Sequence, residues 1–273
     1  MRHERIDAVR ARHRDEALRR GVNPRDVDLL LADVTGRSTA WVIAHGEALV
    51  DADDFAARME RRYAGEPLQY IRGRTEFFSR DFLVDRRVLI PRPETELLVE
   101  AAIERIPRGA RVVDVGAGSG CISVTLALER PDLHVIAVDR SLDALAVAKR
   151  NRDALGARVA LFASDVLSSL RGDVDVIVSN PPYIPAADVE ELAIEVRGHE
   201  PRIALTPGAE GTEVIERIFD EPHGATLVLM EIGYGQDAQI RALAASKQWR
   251  VDAVLNDLAA IPRVVISSRD AEQ

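Results

Sequence analysis

Val174-Asp175-Val176-Ile177-Val178 runs directly into Ser179-Asn180-Pro181-Pro182-Tyr183-Ile184-Pro185. The first five residues form a short apolar run of the kind that builds a strand buried in a parallel sheet. Two consecutive prolines have no N–H to donate, so the strand must stop at Asn180. Each proline also drives the residue before it into an extended conformation, which stiffens the turn. Open α/β sheets bind ligands at such a place, beyond the carboxyl end of a strand. The turn offers the Asn180 side-chain amide, the proline-capped carbonyl of Pro181 and the aromatic face of Tyr183. Two convergent acceptors can hold the NH2 of an amide or of an exocyclic amine, and the ring can pack over the planar group that carries it. Taken alone, Asn-Pro-Pro is equally a proline-rich strand exit with Asn in a turn.

Outward from this strand the pattern alternates. Arg111–Val115, His134–Val138, Arg158–Phe162 and Ala225–Glu231 read as further strands, with helical stretches near 120–129, 141–153, 187–193 and 211–220. Trp249–Val254 and Arg263–Ser268 add two more at the end. The alternation predicts an α/β fold with a parallel, doubly wound sheet and helices on both faces. Seven strands closing on an antiparallel pair suit a methyltransferase-type sheet better than a dinucleotide dehydrogenase.

The first of these strands leads into Asp114-Val115-Gly116-Ala117-Gly118-Ser119-Gly120-Cys121. Glycines let a chain turn tightly and bring backbone N–H groups against a ligand. Such a loop is weak alone, because nucleotide cofactors, S-adenosylmethionine and plain tight turns all use it. Spacing sharpens it. Asp139 closes the next strand, where a carboxylate can accept both hydroxyls of a ribose. Asp165 follows the third strand, placed for an adenine edge, with Val166 beside the ring. An NAD enzyme would share the loop and Asp139 but has no use for Asn-Pro-Pro-Tyr. The phosphate-cradling G-x-x-x-x-G-K-[ST] pattern is missing from the loop, which argues against an NTPase. The cofactor expected is therefore S-adenosylmethionine, and Cys121 reads as a small helix residue packed under the loop.

Upstream, residues 1–64 read as helices. Asn23-Pro24 starts one that Gly36 stops, Ser38 caps a short second one, and Asp51 to Tyr63 makes a third with Phe55, Met59 and Tyr63 on one face. The arginine-rich first twenty residues mark either a surface for an acidic partner or a solvated face. Gly65 to Gly73 breaks the helical pattern. Glu76-Phe77-Phe78, Phe82-Leu83-Val84 and Val88-Leu89-Ile90 then read as short strands in a hairpin-like bridge. Pro91-Arg92-Pro93-Glu94-Thr95-Glu96 opens a helix running to Ile106, and so dense a run of charge at a domain junction suggests more than capping. The domains expected are a helical one at 1–73, a β-hairpin linker at 74–93 and the α/β domain at 94–273.

With 273 residues, 47% hydrophobic and 30% charged, the chain is long enough for a large domain and a smaller one. No apolar run reaches the roughly 18–20 residues of a membrane span. The start, Met1-Arg2-His3-Glu4-Arg5, lacks a secretory apolar segment, and the single cysteine excludes an internal disulfide framework. A cytoplasmic protein is expected. Six scattered histidines show no metal-ligand spacing, so no metal is expected. The net charge is −9, and residues 1–73 are balanced at thirteen basic and thirteen acidic side chains, so the whole deficit lies in 74–273. An acidic main domain is a poor grip for a phosphate backbone and fits a protein partner better.

These runs resemble the glutamine-N5 methyltransferases that modify peptide chain release factors (the HemK/PrmC family). The resemblance covers nearly all of the chain beyond the first helices. It rests on Pro67-Leu68-Gln69-Tyr70-Ile71, on Val88 to Glu96, on the Asp114 to Gly120 loop, on Asn180-Pro181-Pro182-Tyr183-Ile184 and on Val196-Arg197-Gly198-His199-Glu200-Pro201. It implies a small helical domain, a β-hairpin linker and a Rossmann-like seven-stranded catalytic domain. It also implies methylation of the glutamine in the Gly-Gly-Gln loop of a release factor, in a monomeric enzyme. By position, Gly116, Ala117, Gly118, Ser119 and Gly120 would wrap the methionine part of S-adenosylmethionine. Asp139 would take the ribose, and Asp165 and Val166 the adenine. Asn180 would touch both cofactor and substrate, with Pro181, Pro182 and Tyr183 completing the amide pocket. Val166 departs from the aromatic that some members carry there. Two rivals share the turn: adenine-N6 DNA methyltransferases, which flip a base into it, and the glutamine methyltransferase of a ribosomal protein. The acidic domain, with no insertion after the tetrapeptide, argues against the first. The Pro-Arg-Pro-Glu-Thr-Glu run favours the release-factor branch over the second.

Overall fold

Apolar runs bounded by turn-formers become strands, and segments with one apolar face become helices, across the residues 2–270 described by the computed structural model. In chain order the elements begin with β1 (His3–Arg5), α1 (Ile6–Arg19), α2 (Arg25–Thr35), α3 (Thr39–Ala44), β2 (Leu49–Asp51), α4 (Ala52–Tyr63) and α5 (Leu68–Arg72). A hairpin of β3 (Arg74–Phe77) and β4 (Arg80–Leu83) precedes α6 (Glu94–Arg105). Then come β5 (Arg111–Val115), α7 (Cys121–Glu129), β6 (His134–Asp139), α8 (Leu142–Leu155), β7 (Val159–Ala163) and β8 (Val176–Ser179). After a 3-10 turn at Asp188–Glu191 and the short helices α9 (Ile194–Arg197) and α10 (Arg202–Leu205), the chain makes α11 (Glu213–Asp220) and β9 (Leu227–Glu231). It closes with α12 (Asp237–Ser246), β10 (Arg250–Asn256) and β11 (Pro262–Ser268).

Two units result, one of residues 2–73 with Ala193–His199, the other of residues 74–192 with 200–270. In the first, Ile6, Val9, Leu30, Leu31, Phe55 and Met59 form the buried core. Phe55 and Met59, four apart on α4, face inward together because that spacing repeats a helix face. Ser38 Oγ caps α3 by accepting from the Trp41 amide at 3.1 Å, and Asn23 Oδ1 accepts from the Arg25 amide at 3.0 Å at the start of α2. Arg62 draws residues 193–199 into this unit: it donates to Asp26 at 2.8 Å and to Glu195 at 3.3 Å. The arginines of α1 are not a free basic face. Arg10 and Arg14 both donate to Asp28, and Arg12 to Glu4.

The helical reading of 1–64 is corrected by β1 and β2, which pair antiparallel from His3 with Asp51 to Arg5 with Leu49. Three-residue strands rich in charge leave no alternation to read. Gly65 to Gly73 contains α5, which has Pro67 just before it and Gly73 just after it, a helix's own punctuation. Val88-Leu89-Ile90 is not a strand. Val88 and Ile90 are buried and Leu89 is half-buried, but the Val88 amide closes a turn on Asp85 and the Ile90 amide donates to the Glu200 side chain at 3.4 Å.

In the second unit the seven strands lie in the order β10-β11-β9-β8-β5-β6-β7. β8, β5, β6, β7 and β9 are parallel, and β11 runs antiparallel to both β9 and β10. This is the seven-stranded Rossmann-like sheet of S-adenosylmethionine-dependent methyltransferases. Leu98, Val112 and Leu126 pack in one buried cluster, and Val113, Ile177, Ile218 and Ile240 in another. Alternate residues of β5 feed the two clusters, as a strand covered on both faces requires. β5 lies between β8 and β6, so strand order reverses there, and the crevice opens at the carboxyl ends of those strands. Among the described residues no helix is long and apolar enough to cross a membrane.

Candidate active site

The β5–α7 loop turns on Gly116, Gly118 and Gly120, all at positive φ. The Gly116 and Ala117 amides both donate to the Val138 carbonyl, and the Gly118 amide donates to Asp139 Oδ2 at 2.9 Å. These N–H groups therefore bind the end of β6 instead of pointing outward as the loop pattern suggested. What the loop gives the crevice is space. A Cβ on Gly116 would meet nothing within 4 Å, and one on Gly118 only the Gly116 carbonyl at 3.9 Å. Gly120 has another reason to be glycine: a Cβ there would stand 3.2 Å from that of Ala148 on α8.

An open cavity lies over this loop, at the carboxyl ends of the strands where open α/β sheets take their ligands. Gly116, Gly118, Asp139, Asp165, Val166, Asn180 and Pro182 all line it. Ala117, Ser119, Gly120, Pro181 and Tyr183 are not among the lining residues. Asp139 Oδ1 accepts from the Ser141 amide at 2.8 Å, which anchors the start of α8. Burial raises the Asp139 carboxyl above its usual range, against the pull of the Ser141 and Gly118 amides. Val166 sits at φ 52, a region costly for a β-branched residue and most often kept at functional turns. Asp165 beside it receives Arg217 at 3.0 Å on the same cavity wall. The open, Cβ-free floor, the carboxylate at its side and the apolar Val166 fit the methionine, ribose and adenine parts of S-adenosylmethionine.

Asn180 follows β8 at the other side of the cavity. Its Nδ2 donates to Thr95 Oγ1 at 3.0 Å, and among the described residues nothing donates to its Oδ1. Thr95 Oγ1 in turn donates to Glu231 Oε2 at 2.6 Å. The Tyr183 hydroxyl donates to Glu231 Oε1 at 3.3 Å. Burial raises Glu231, opposed by those two hydroxyls, and burial together with Glu231 raises the Tyr183 phenol. The Tyr183 carbonyl accepts from Gln236 Nε2 at 3.0 Å. Gly211, at φ +79, passes so near that a Cβ would lie 2.6 Å from that carbonyl. The turn is thus held on every side that does not face the cavity.

Thr95 and Glu231 were not singled out by the sequence reading. A signal existed for each. Thr95 stands inside the charge-dense Pro-Arg-Pro-Glu-Thr-Glu run, and Glu231 is an acid ending the apolar run Leu227-Val228-Leu229-Met230. Glu200 stands in the Val196 to Pro201 run that the resemblance rests on. It accepts from Arg92 at 2.6 Å with its side chain 1% exposed, and so joins that run to the Glu200-Pro201 segment. Asn151 is a further clamp: it donates to the Leu83 and Ser119 carbonyls and accepts from the Leu83 amide, tying the hairpin to the glycine loop.

Beneath the loop, Asp114 is fully buried. One carboxylate oxygen accepts from the Ser123 amide at 3.1 Å, and among the described residues the other has no partner. Burial pushes its pKa from 3.8 up to about 7. The folded value lies above the unfolded one, so the native state holds the extra proton between them. This group's contribution to stability is greatest at low pH, falls as pH rises toward about 7, and is lost above it. Asp114→Asn carries no charge to bury. Its stability relative to wild type, by urea unfolding, should rise between about pH 4 and about pH 7 and level off above. A difference independent of pH would mean that Asp114 titrates normally. Cys121 is buried with its thiol pushed up to about 12, which leaves no thiolate for chemistry.

Comparison with known proteins gives a consistent picture. The PrmC N-terminal domain family matches residues 10–73, and the methyltransferase small domain family matches residues 93–223. The chain is 45% identical over 232 residues to the release factor glutamine methyltransferase of Nitratidesulfovibrio vulgaris, covering 80% of this chain and 78% of that one. It is 40% identical over 253 residues to the same enzyme of Koribacter versatilis, covering 89% and 90%. Among solved structures, a methyltransferase from Pyrococcus furiosus matches with a TM-score of 0.54 at 16% identity, over 78% of this chain and 98% of that one. A chain of the E. cuniculi complex responsible for methylating a translation termination factor matches with a TM-score of 0.51 at 22% identity, over 67% and 99%. At such identities the structures speak for the fold alone.

Proposed function

The chain belongs to the release factor glutamine methyltransferase family, and from that premise we propose that the Asn180 turn receives the side-chain amide of the glutamine in the Gly-Gly-Gln loop of a release factor for methylation at N5. The observation that carries this reading is that Asn180 and Pro182 line the same cavity as Gly116, Gly118 and Asp139, with the Asn180 Oδ1 unengaged. Substrate amide and cofactor can meet in one space.

S-adenosylmethionine, when bound, supplies a methyl group on a sulfonium, a good leaving group. The chain's own residues do the rest. An amide nitrogen is a poor nucleophile because its lone pair is delocalised into the carbonyl. Asn180 Oδ1 and the Pro181 carbonyl accept its two N–H groups and hold the nitrogen toward the methyl donor. Their negative dipole ends also oppose the positive charge that grows on nitrogen during transfer. Catalysis of this kind is positioning and electrostatics. Once methylated and positively charged, the nitrogen is acidic enough to lose its extra proton to water, so no general base is assigned. Tyr183 holds its hydroxyl on Glu231, and its ring supports the turn. Pro181 and Pro182 keep that turn stiff. Asp139 holds the ribose, Asp165 and Val166 the adenine, and Gly116 and Gly118, bare of side chains, leave the space for the methionine part. The enzyme acts as a monomer on its protein partner, in the cytoplasm where translation ends.

The test is transfer of labelled methyl from S-adenosylmethionine to purified release factor, beside a factor with Gln→Ala in its Gly-Gly-Gln loop and a duplex DNA control. Label on the wild-type factor alone supports the reading. Label on the Gln→Ala factor overturns the target residue, and label on DNA alone means that the Asn180 turn receives adenine.

A further inference from the structure

We propose that Thr95 and Glu231 are positioning residues that fix which end of the Asn180 amide faces the substrate. The proposal rests on Asn180 holding the target amide, as argued above. The two ends of an asparagine amide are nearly identical in shape, so turning it over costs little by sterics alone. Chemically the two states are opposite. With Oδ1 toward the cavity Asn180 accepts from the substrate NH2; with Nδ2 there, two donors would confront each other.

While Glu231 is ionised, the chain behind Asn180 has only one consistent polarity. An ionised carboxylate accepts and cannot donate, and a hydroxyl has a single proton. Glu231 Oε2, 2.6 Å from Thr95 Oγ1, takes that proton. Thr95 is then left with lone pairs alone, and the group 3.0 Å away on Asn180 must be its NH2. The second Glu231 oxygen is occupied by another donor, the Tyr183 hydroxyl. Thr95 is 1% exposed and Glu231 2% exposed, so bulk water offers neither an alternative partner. Neither residue lines the cavity. Both therefore act through Asn180. The two come from different elements, Thr95 from the first turn of α6 and Glu231 from the end of β9.

Glu231→Gln is the sharpest variant, because it preserves shape but adds a donor. Its NH2 can donate to Thr95, which frees the threonine proton for Asn180 Oδ1 and reverses the whole chain. Expected is a loss of about 10²-fold in kcat on release factor, as for misplacement of a reacting group. The Kd for S-adenosylmethionine should stay within about threefold, since the cofactor side of the cavity is untouched. Thr95→Val should lose kcat similarly, and Thr95→Ser should recover most of it. The preference for a glutamine factor over one with the target Gln→Glu, measured as a ratio of Kd values, should narrow in Glu231→Gln. A merely structural role would not move that ratio. Thr95→Val in an Asn180→Ala background should cost nothing further, whereas additive losses would overturn the relay. Glu231→Gln and Thr95→Val both at wild-type kcat, with Asn180→Ala severely slowed, would remove the relay and leave the Asn180 assignment standing. Asn180→Ala at wild-type kcat would remove both.

Discussion

Replacing Asn180 by alanine is expected to lower kcat for release-factor methylation by about 10²–10³-fold, the range for removing one fixed dipole aimed at developing charge. The Kd for S-adenosylmethionine should move far less, because Gly116, Gly118 and Asp139 remain in place on the cavity wall. The reason for the split is that Asn180 Oδ1 is proposed to act where charge appears only in the transition state, on the amide nitrogen. A contact of that kind raises kcat without tightening ground-state binding. Asn180→Asp is the informative companion. It keeps an oxygen toward the cavity, but its other oxygen now faces Thr95 Oγ1, which has already given its proton to Glu231. Two acceptors then meet behind the turn, so kcat should stay low although an acceptor remains in front. Isothermal titration with S-adenosylmethionine and single-turnover methylation, run side by side, separate the two quantities. Equal losses in Kd and kcat would place Asn180 in cofactor binding instead.

The fold was legible where one periodicity held over a whole element. β5, β6, β8 and β9 are buried on both faces, so their apolar runs stand out from the turns that bound them. Val88 to Ile90 shows the limit of that signal. Alternate burial of Val88 and Ile90 imitates a strand, but apolar alternation reports which side chains are covered, not what the backbone pairs with. Here the Ile90 amide pairs with a carboxylate 110 residues away, and no local pattern announces such a partner. α12 escaped notice for the converse reason: Asp-Ala-Gln-Ile-Arg-Ala-Leu-Ala-Ala-Ser has too many alanines to mark one face against the other.

Legibility of the site divides similarly. Residues whose chemistry is local to one turn, such as Asn180 after β8 or Asp139 after β6, could be placed from sequence because a strand end fixes where they point. Residues that matter through a partner could not. Thr95 and Glu231 are 136 positions apart, and their joint meaning exists only once α6 and β9 bring them to Asn180. The glycine loop is legible only in part. Its open face lies in the cavity, but its first three amides are engaged by Val138 and Asp139, a detail of register that glycine spacing does not contain.

Asp139→Ala should act in the opposite sense to Asn180→Ala, weakening S-adenosylmethionine binding by about 10²-fold. Lost charge-assisted hydrogen bonds of about 1.5–3 kcal/mol each, with tenfold per about 1.4 kcal/mol, set that scale. Its two oxygens already accept from the Gly118 and Ser141 amides, at 2.9 and 2.8 Å, and each retains a further lone pair for a ribose hydroxyl. Alanine removes both functions at once: the proposed acceptor for the ribose and the tie that holds the glycine loop to the start of α8. At saturating cofactor kcat should fall much less, since the Asn180 turn keeps its own supports on Thr95 and Glu231. Asp139→Asn separates the two functions. It preserves shape, but its NH2 cannot accept from whichever amide it faces, so an intermediate loss is expected. pH provides an independent check. Burial raises the Asp139 carboxyl above its ordinary value, so cofactor affinity is full above that raised pKa and falls as pH drops through it. The loss should therefore begin at a higher pH than an exposed aspartate would give, and Asp139→Asn should abolish it. A wild-type Kd that holds constant down to the ordinary carboxylate range would show that the charge on Asp139 does not govern binding.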